Sequence, residues 1–283
     1  MRSLNFDNSK PLLYLVATPI GNLDEMSPRA LEVIKEADLI ACEDTRVTSK
    51  LLSLFNISKP LVSLREHNET SEANILIPQI KAGKKVVYMS DAGYPCISDP
   101  GAKLVQLALE NEINVSCVSG PNAALNALVA SGLPCDHFYF YGFLSAKQSE
   151  RKQELENLKD FKDTLIFYEA PHRILKTLAD LAGVLGNRKA CLARELTKKH
   201  EEFIRMNLEE LASLDEETLK GEMVIIVEGK IREEKVVETS TIIKTVDYFI
   251  LDGYSKKDAI KEASKKLGLS KNQVYDVYHK GEN

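Results

Sequence analysis

The chain has 283 residues, 44% of them hydrophobic and 28% charged, with a formal net charge of −5. That length is enough for two modest domains or one large domain with an appendage, and the acidic balance means that any basic surface for nucleic acid is local. The opening residues, MRSLNFDNSK, lack the apolar stretch of a signal peptide, and no apolar run approaches the length that spans a membrane.

In chain order, LLYLVAT (12–18), DLIAC (38–42), PLVSL (60–64), KVVYM (85–89) and INVSCV (113–118) read as strands. Helical patterns lie between them, near 28–37, 46–55, 71–82 and 101–111, the first opened by Ser27 as N-cap and Pro28 at N1. Strand–helix alternation with continuous apolar strands predicts a parallel or mixed α/β sheet. The stretch VSGPNAALNALVASGLP runs from strand to helix to turn and marks the boundary between halves near 120–137, after which come strands at 138–144, 164–170, 189–195, 201–206 and 222–229, with a helix near 172–185. Residues 189–206 read as two strands joined by a polar turn at Lys198-Lys199-His200, so the second half is not a copy of the first.

From Ile231 the chain turns polar, and IREEKVVETS reads as a linker. Three helical patterns follow, at 240–252, 256–266 and 271–280, with capping boxes at Ser255/Asp258 and Ser270/Gln273. Ala259, Ile260, Ala263, Leu267, Leu269, Val274 and Val277 are expected to close a small core of helix-turn-helix type. The expected domains are 1–121, 122–231 and 232–283. From Ser255 to Asn283 seven lysines face four acidic side chains, so this piece is basic within an acidic protein. The five cysteines, Cys42, Cys96, Cys117, Cys135 and Cys191, are odd in number and form no C-x-x-C pair. They read as buried free thiols of a cytoplasmic protein rather than as a disulfide framework or metal site.

Polar residues collect just after the strands: TPIGNLD (18–24), EDTR (43–46), REHNET (65–70), SDAGYPCISDPG (90–101) and SGPNA (119–123). A parallel sheet places all of these loops on one edge, where ligands of open α/β sheets bind. Each also has an ordinary structural explanation. Glu43, Asp44 and Arg46 fit a helix start with an ion pair, His67 a surface histidine, and Asn122 a helix cap. SDAGYPCISDPG is the strongest of the set. It ends a buried strand on a carboxylate, Asp91, and its Gly93 and Gly101 permit close backbone approach or positive φ. No G-x-G-x-x-G, Walker, H-E-x-x-H or nucleophile-elbow motif is present, so the commonest α/β cofactor readings fail.

At these residues the chain resembles the tetrapyrrole-methylase superfamily. The runs LVATPIGN, ACEDTR, SDAGYPCISDPG, SGPNAALNAL, FYEAPHR and ARELTKKHEEF look like one branch of it, the ribosomal RNA small subunit methyltransferase I family. The likeness covers nearly the whole chain. It implies two α/β domains of the tetrapyrrole-methylase type with a cofactor cleft between them, a C-terminal helical domain, and a homodimer. It also implies S-adenosylmethionine as cofactor, and 2′-O-methylation of a cytidine ribose in the decoding region of 16S rRNA within the small ribosomal subunit. No metal or membrane partner is implied. Two loops depart from the wider superfamily. The first reads Thr18-Pro19-Ile20-Gly21-Asn22 where a glycine-rich run is usual, and the fourth reads Ser90-Asp91-Ala92-Gly93 where Gly-Asp-Pro is common. Both departures match the ribosomal RNA branch and weigh against a tetrapyrrole substrate.

By this resemblance the cofactor-binding candidates are Pro19, Ile20, Gly21, Asp91, Ala92, Gly93, Ser119, Gly120, Asn122, Ala123, Tyr168, Glu169, Ala170 and Met223. Methyl transfer to a 2′-hydroxyl demands alignment and an acceptor for the hydroxyl proton. The acceptor is sought among Glu43, Asp44, His67 and Glu195, with Arg46 beside them. Arg173, Arg194, Lys198, Lys256, Lys257 and Lys265 are expected to meet RNA phosphates. Two competing readings remain: a methyltransferase of the same fold acting on a tetrapyrrole or a protein side chain, and a ligand-sensing regulator with a nucleic-acid reader.

Overall fold

The structure is a computed structural model, described for residues 11–231 and 237–280. The opening decapeptide and part of the expected linker, 232–236, lie outside the described residues. The chain divides into two compact units, Met1–Lys230 and Ile231–Asn283.

The first unit begins with five strands: β1 (Leu12–Val16), β2 (Leu39–Cys42), β3 (Leu61–Ser63), β4 (Val86–Met89) and β5 (Asn114–Val118). They pair in the order β3-β2-β4-β1-β5, and every pairing is parallel. All four residues of β4 are buried, as expected of a strand covered on both faces. One face packs on α1 (Pro28–Glu36) and α2 (Thr45–Leu54), around Ile34, Ile40, Leu52 and Met89. The other packs on α3 (Glu69–Lys81) and α4 (Ala102–Glu110), around Leu76, Ile80, Tyr88 and Leu104. Ser27 caps α1 by accepting from the Ala30 amide at 3.1 Å, with Pro28 inside the first turn. Because the sheet is wholly parallel, the five polar loops do share its carboxyl edge.

After α5 (Ala123–Ser131) comes a second sheet of β6 (Phe138–Phe143), β7 (Thr164–Glu169), β8 (Lys189–Arg194), β9 (Glu202–Asn207) and β10 (Met223–Val227). Its order is β6-β7-β10-β8-β9; β6 and β7 are parallel and the rest antiparallel. The hairpin expected over 189–206 is the β8/β9 pair. The helix α5 packs Ala124, Ala127 and Leu128 on this sheet, while α7 (Ile174–Leu185) covers the opposite face. Two helices were not expected from the pattern, α6 (Gln148–Leu158) and α8 (Leu208–Ala212). The inner face of α6 carries Arg151, which a hydropathy pattern scores as solvent-facing. It is buried because Asp180 of α7 takes its guanidinium at 2.6 and 2.9 Å. The cysteine expectation needs correction: Cys42 and Cys191 are buried and Cys96 is intermediate, but Cys117 and Cys135 are exposed.

The second unit has three helices, α9 (Thr239–Leu251), α10 (Lys256–Leu267) and α11 (Lys271–Lys280). The expected core residues all pack together, joined by Ile242, Val246 and Tyr278. Gly268 ends α10 in the left-handed region at φ 68°, as a C-cap glycine does. Ser270 and Gln273 form a reciprocal capping box at α11. Ser255 caps α10 as expected, although Asp258 takes the Ser255 hydroxyl. No helix of the described residues is long and apolar enough to cross a membrane.

Candidate functional site

Three loops of the first sheet edge are stitched together. Thr18 and Gly93 form an isolated bridge in which each amide donates to the other's carbonyl, at 2.9 and 3.0 Å. The Gly120 amide donates to the Tyr94 hydroxyl at 3.1 Å, and a Cβ on Gly120 would lie 2.8 Å from that of Ala17. Gly93 has φ +74°, which favours glycine in this bridge. Gly21 serves a different end. A side chain there would meet Lys198 at 2.5 Å and Thr197 at 2.9 Å, so its bareness lets the first loop dock on the β8–β9 turn.

Between this edge and the second sheet lies a cavity of about 360 Å³. From the first half Ile20, Ala92, Gly93, Tyr94, Ile97 and Asp99 line it, and from the second half Tyr168, Glu169, Ala170, Leu196, Glu222 and Met223. Asn122 and Ala123 lie between the two groups, and the Asn122 side chain also caps α5 by accepting from the Leu125 amide at 2.9 Å. Among the described residues three carboxylates line the cavity, and no lysine, arginine or histidine does.

Of these, Asp99 is the exceptional group. It is partly buried in the SDAGYPCISDPG loop. Burial, with Glu43 and Asp91 adding repulsion, pushes its carboxyl up to about 6. Glu169 is committed elsewhere. It is buried, accepts from the Ala170 amide and the Thr177 hydroxyl, and pairs with Arg173.

The other sequence candidates lie around the cavity rather than in it. Asp91 accepts from the Asp44 amide at 3.2 Å, and burial raises its carboxyl. Asp44 caps α2 and pairs with Arg46 at 2.5 Å, and the hydrogen bonds from Arg46 hold its carboxyl far below the usual range. Glu43 is raised by burial first and then by Asp91. His67 is exposed on the turn before α3. Glu195 accepts from Lys198 at 2.9 Å and is held low by it, while Lys198 also reaches Glu222 at 3.2 Å. Arg194 pairs with Glu202 at 2.5 Å. Pro19 and Ser119 belong to the two flanking loops without lining the cavity. In the second unit Lys256 lies over the Tyr278 ring at 5.2 Å, Lys265 pairs with Glu262 at 2.8 Å, and Lys257 is exposed.

Sequence reasoning missed Tyr94, Ile97, Ser98, Asp99, Phe143, Pro171, Leu196, Glu222 and Val224 among the lining residues. Asp99 was visible as the second aspartate of the strongest loop. Leu196 stood in the run ARELTKKHEEF without being singled out, and nothing local marked Phe143.

REHNET has a structural task that its charge did not announce. Gly101 opens α4 without a side-chain cap. Glu69, buried at the start of α3, takes the Gly101 amide at 3.0 Å and the Lys103 amide at 2.5 Å. It thereby holds the exit of the cavity loop. Glu69→Ala strands one buried and one partly buried donor and is expected to lower stability by about 1–3 kcal/mol in urea unfolding. An unchanged midpoint would remove this role.

No group of three or more His, Cys, Asp or Glu among the described residues is arranged to hold a metal ion. Comparison with known proteins gives one consistent picture. The family model "Tetrapyrrole (Corrin/Porphyrin) Methylases" matches residues 12–212. The chain is 45% identical to ribosomal RNA small subunit methyltransferase I of Bacillus subtilis, over 98% of this chain and 97% of the relative. It is also 45% identical to the protein of that name from Haemophilus influenzae, over 93% and 95%. Among solved structures it resembles uroporphyrin-III-C-methyltransferase from Thermus thermophilus, with TM-score 0.55 and 19% identity over 77% of this chain and 94% of that one. A diphthine synthase gives TM-score 0.59 and 16% identity over 77% and 90%. These two likenesses speak to the fold alone.

Proposed function

The chain belongs to the tetrapyrrole methylase family, in the branch of ribosomal RNA small subunit methyltransferase I, and from that premise we propose that it methylates the 2′-hydroxyl of a cytidine in the decoding region of 16S rRNA. Enzymes of this family use S-adenosylmethionine, which supplies an electrophilic methyl group on a sulfonium. The observation that carries the reading is the charge of the cavity. Of its three carboxylates, Glu169 and Glu222 are already paired with Arg173 and Lys198, which leaves Asp99 to a ligand, and among the described residues no cationic side chain lines the cavity. That acidic lining suits a ligand bearing a sulfonium and an ammonium, and it disfavours a phosphate-bearing cofactor.

In this proposal the stitched loops around Ile20, Ala92, Gly93 and Ala123 hold the cofactor by backbone groups. Tyr168, Ala170 and Met223 hold it from the second sheet. Pro19, Gly21, Asp91, Ser119 and Gly120 keep those loops in place, and Asp99 faces the positive end. The residues then orient the methyl group toward the incoming ribose and keep water away from it.

Of the proton-acceptor candidates we favour Glu43. Its carboxyl is raised by burial and by Asp91, whereas Asp44 and Glu195 are held low by their cationic partners. Arg46, Arg194 and the exposed lysines of the second unit would meet RNA phosphates. The proposed domains are 1–121, 122–231 and 232–283, the assembly a homodimer, and the location the cytoplasm.

The test is transfer of labelled methyl from S-adenosylmethionine to isolated small ribosomal subunits, with nuclease mapping of the label to a ribose. Glu43→Gln is expected to slow single-turnover transfer about 10²-fold or more with cofactor affinity unchanged. Label on protein or on a tetrapyrrole instead of on RNA would overturn the substrate. Duplex DNA binding without turnover would favour the regulator.

A further inference from the structure

Two stretches of backbone beside the cavity adopt unusual conformations, and each turns an apolar side chain toward solvent at its mouth. In the SDAGYPCISDPG loop, Cys96 and Ser98 have φ of +69° and +63°, a region that non-glycine residues seldom occupy. Ile97 between them is 42% exposed and lines the cavity.

Across from it, β6 carries a bulge. Phe140 pairs with Ile166 and Gly142 with Phe167, leaving Tyr141 as the extra residue, and Gly142 has φ +86°. A strand alternates its faces, so without the bulge Phe143 would share a face with Tyr141, which packs on Phe167 on the α7 side. The extra residue turns Phe143 to the face of Phe140. Both rings then flank Tyr168, at 5.0 and 5.6 Å. Phe143 thereby lines the cavity while 52% exposed.

The two stretches touch. A Cβ on Gly142 would come within 3.2 Å of the Ser98 hydroxyl. Ile97 and Phe143 are thus chain neighbours of a contact pair, one on each side of the opening.

A small ligand buries most of its surface and belongs with the buried lining residues Leu196, Met223 and Val224. Exposed apolar side chains at the mouth are left for a partner that arrives from outside. We propose that Ile97 and Phe143 form a slot that takes the base of the target nucleotide, in a single-stranded segment of RNA, and so bring its ribose to the cavity. This rests on the RNA-methylating reading above. Only an unpaired base has a free face to offer, and an aromatic ring stacks on any base. The slot therefore selects strand state and position more than base identity.

The experiment compares wild-type protein with Phe143→Ala, Phe143→Leu and Phe143→Trp, using small ribosomal subunits as substrate and calorimetric titration of S-adenosylmethionine. Loss of one stacked base corresponds to a KM for subunits raised roughly 5- to 150-fold in Phe143→Ala. Phe143→Trp is expected to restore it and Phe143→Leu not to, with cofactor affinity in all three within about twofold of wild type. Weakening of cofactor binding in step with the KM would assign Phe143 to the adenine and overturn the slot. So would a KM indifferent to Phe143, or full rescue by leucine. Absence of methyl transfer by the wild-type protein would remove the functional reading and the slot together. Turnover by the wild type with any of the other adverse results removes the slot alone.

Discussion

Asp99→Asn is expected to weaken S-adenosylmethionine binding about 10- to 100-fold, the scale of one hydrogen bond to a charged partner. Its pH dependence carries the sharper signature. The carboxyl titrates near 6 because burial penalises its charge and Glu43 and Asp91 repel it. In the ligand-free protein the folded state therefore holds its proton to higher pH than the unfolded chain, where an aspartate titrates near about 3.9. The stability contributed by that proton is present in full below the unfolded value and is lost as pH rises through about 6. Cofactor binding has the opposite slope. A cation prefers the ionised carboxylate, so affinity rises as pH climbs through the same window. Calorimetry is expected to give cofactor binding about tenfold weaker at pH 5 than at pH 7, since little of a group titrating near 6 is ionised at the lower pH. Asp99→Asn is expected to abolish that difference. A mutant that kept the wild-type pH profile would move the positive end of the cofactor away from Asp99.

Gly101→Val is expected to be the most damaging single change in the cavity loop. The glycine has φ +121°, and a Cβ there would lie 2.3 Å from Cε1 of Tyr88 and 2.9 Å from Sγ of Cys96. Tyr88 has no room to yield. It is fully buried in β4 and donates its hydroxyl to the Pro100 carbonyl at 2.7 Å. Backbone strain of about 1–3 kcal/mol and overpacking of about 1–3 kcal/mol combine to about 2–6 kcal/mol, a large part of the stability of an ordinary domain. Gly83→Ala separates the two contributions. Gly83 has φ +94° with nothing within 4 Å of a Cβ, so it carries backbone strain without a clash. Urea unfolding is expected to place Gly83→Ala about 1–3 kcal/mol below wild type, from strain alone, and Gly101→Val further below it. Equal midpoints would show that the Tyr88 contact is soft.

Much of the first sheet was legible because its strands are buried on both faces and read as short continuous apolar runs, β4 most clearly. The convergence of the loops followed from parallel pairing alone. The helix α6 was not legible because its buried face mixes Leu155 and Leu158 with Arg151, which is interior only because Asp180, from a helix beyond β7, and the Ser145 and Ala146 carbonyls take its guanidinium. The site was partly legible for a related reason. Ile20, Ala92, Gly93, Asn122, Ala123, Tyr168, Glu169, Ala170 and Met223 stand in motifs and line the cavity. Phe143 stands in an apolar strand that reads like any other, and only the bulge at Phe140–Gly142 turns it. Arg173 and Lys198 read as free cations in the sequence, but Glu169 and the pair Glu195 and Glu222 already hold them.

The sequence by itself determined most of the elements, the edge on which the loops gather and the family, because these follow from local hydrophobic period and from contiguous runs of residues. The tertiary structure alone decided which charged groups are free and which are spent. A carboxylate's role depends on what lies across from it: Asp99 is left facing a cavity without cations, while Glu69, one loop away, is consumed in holding the start of α4. Such pairings join residues tens of positions apart, and no local pattern records them.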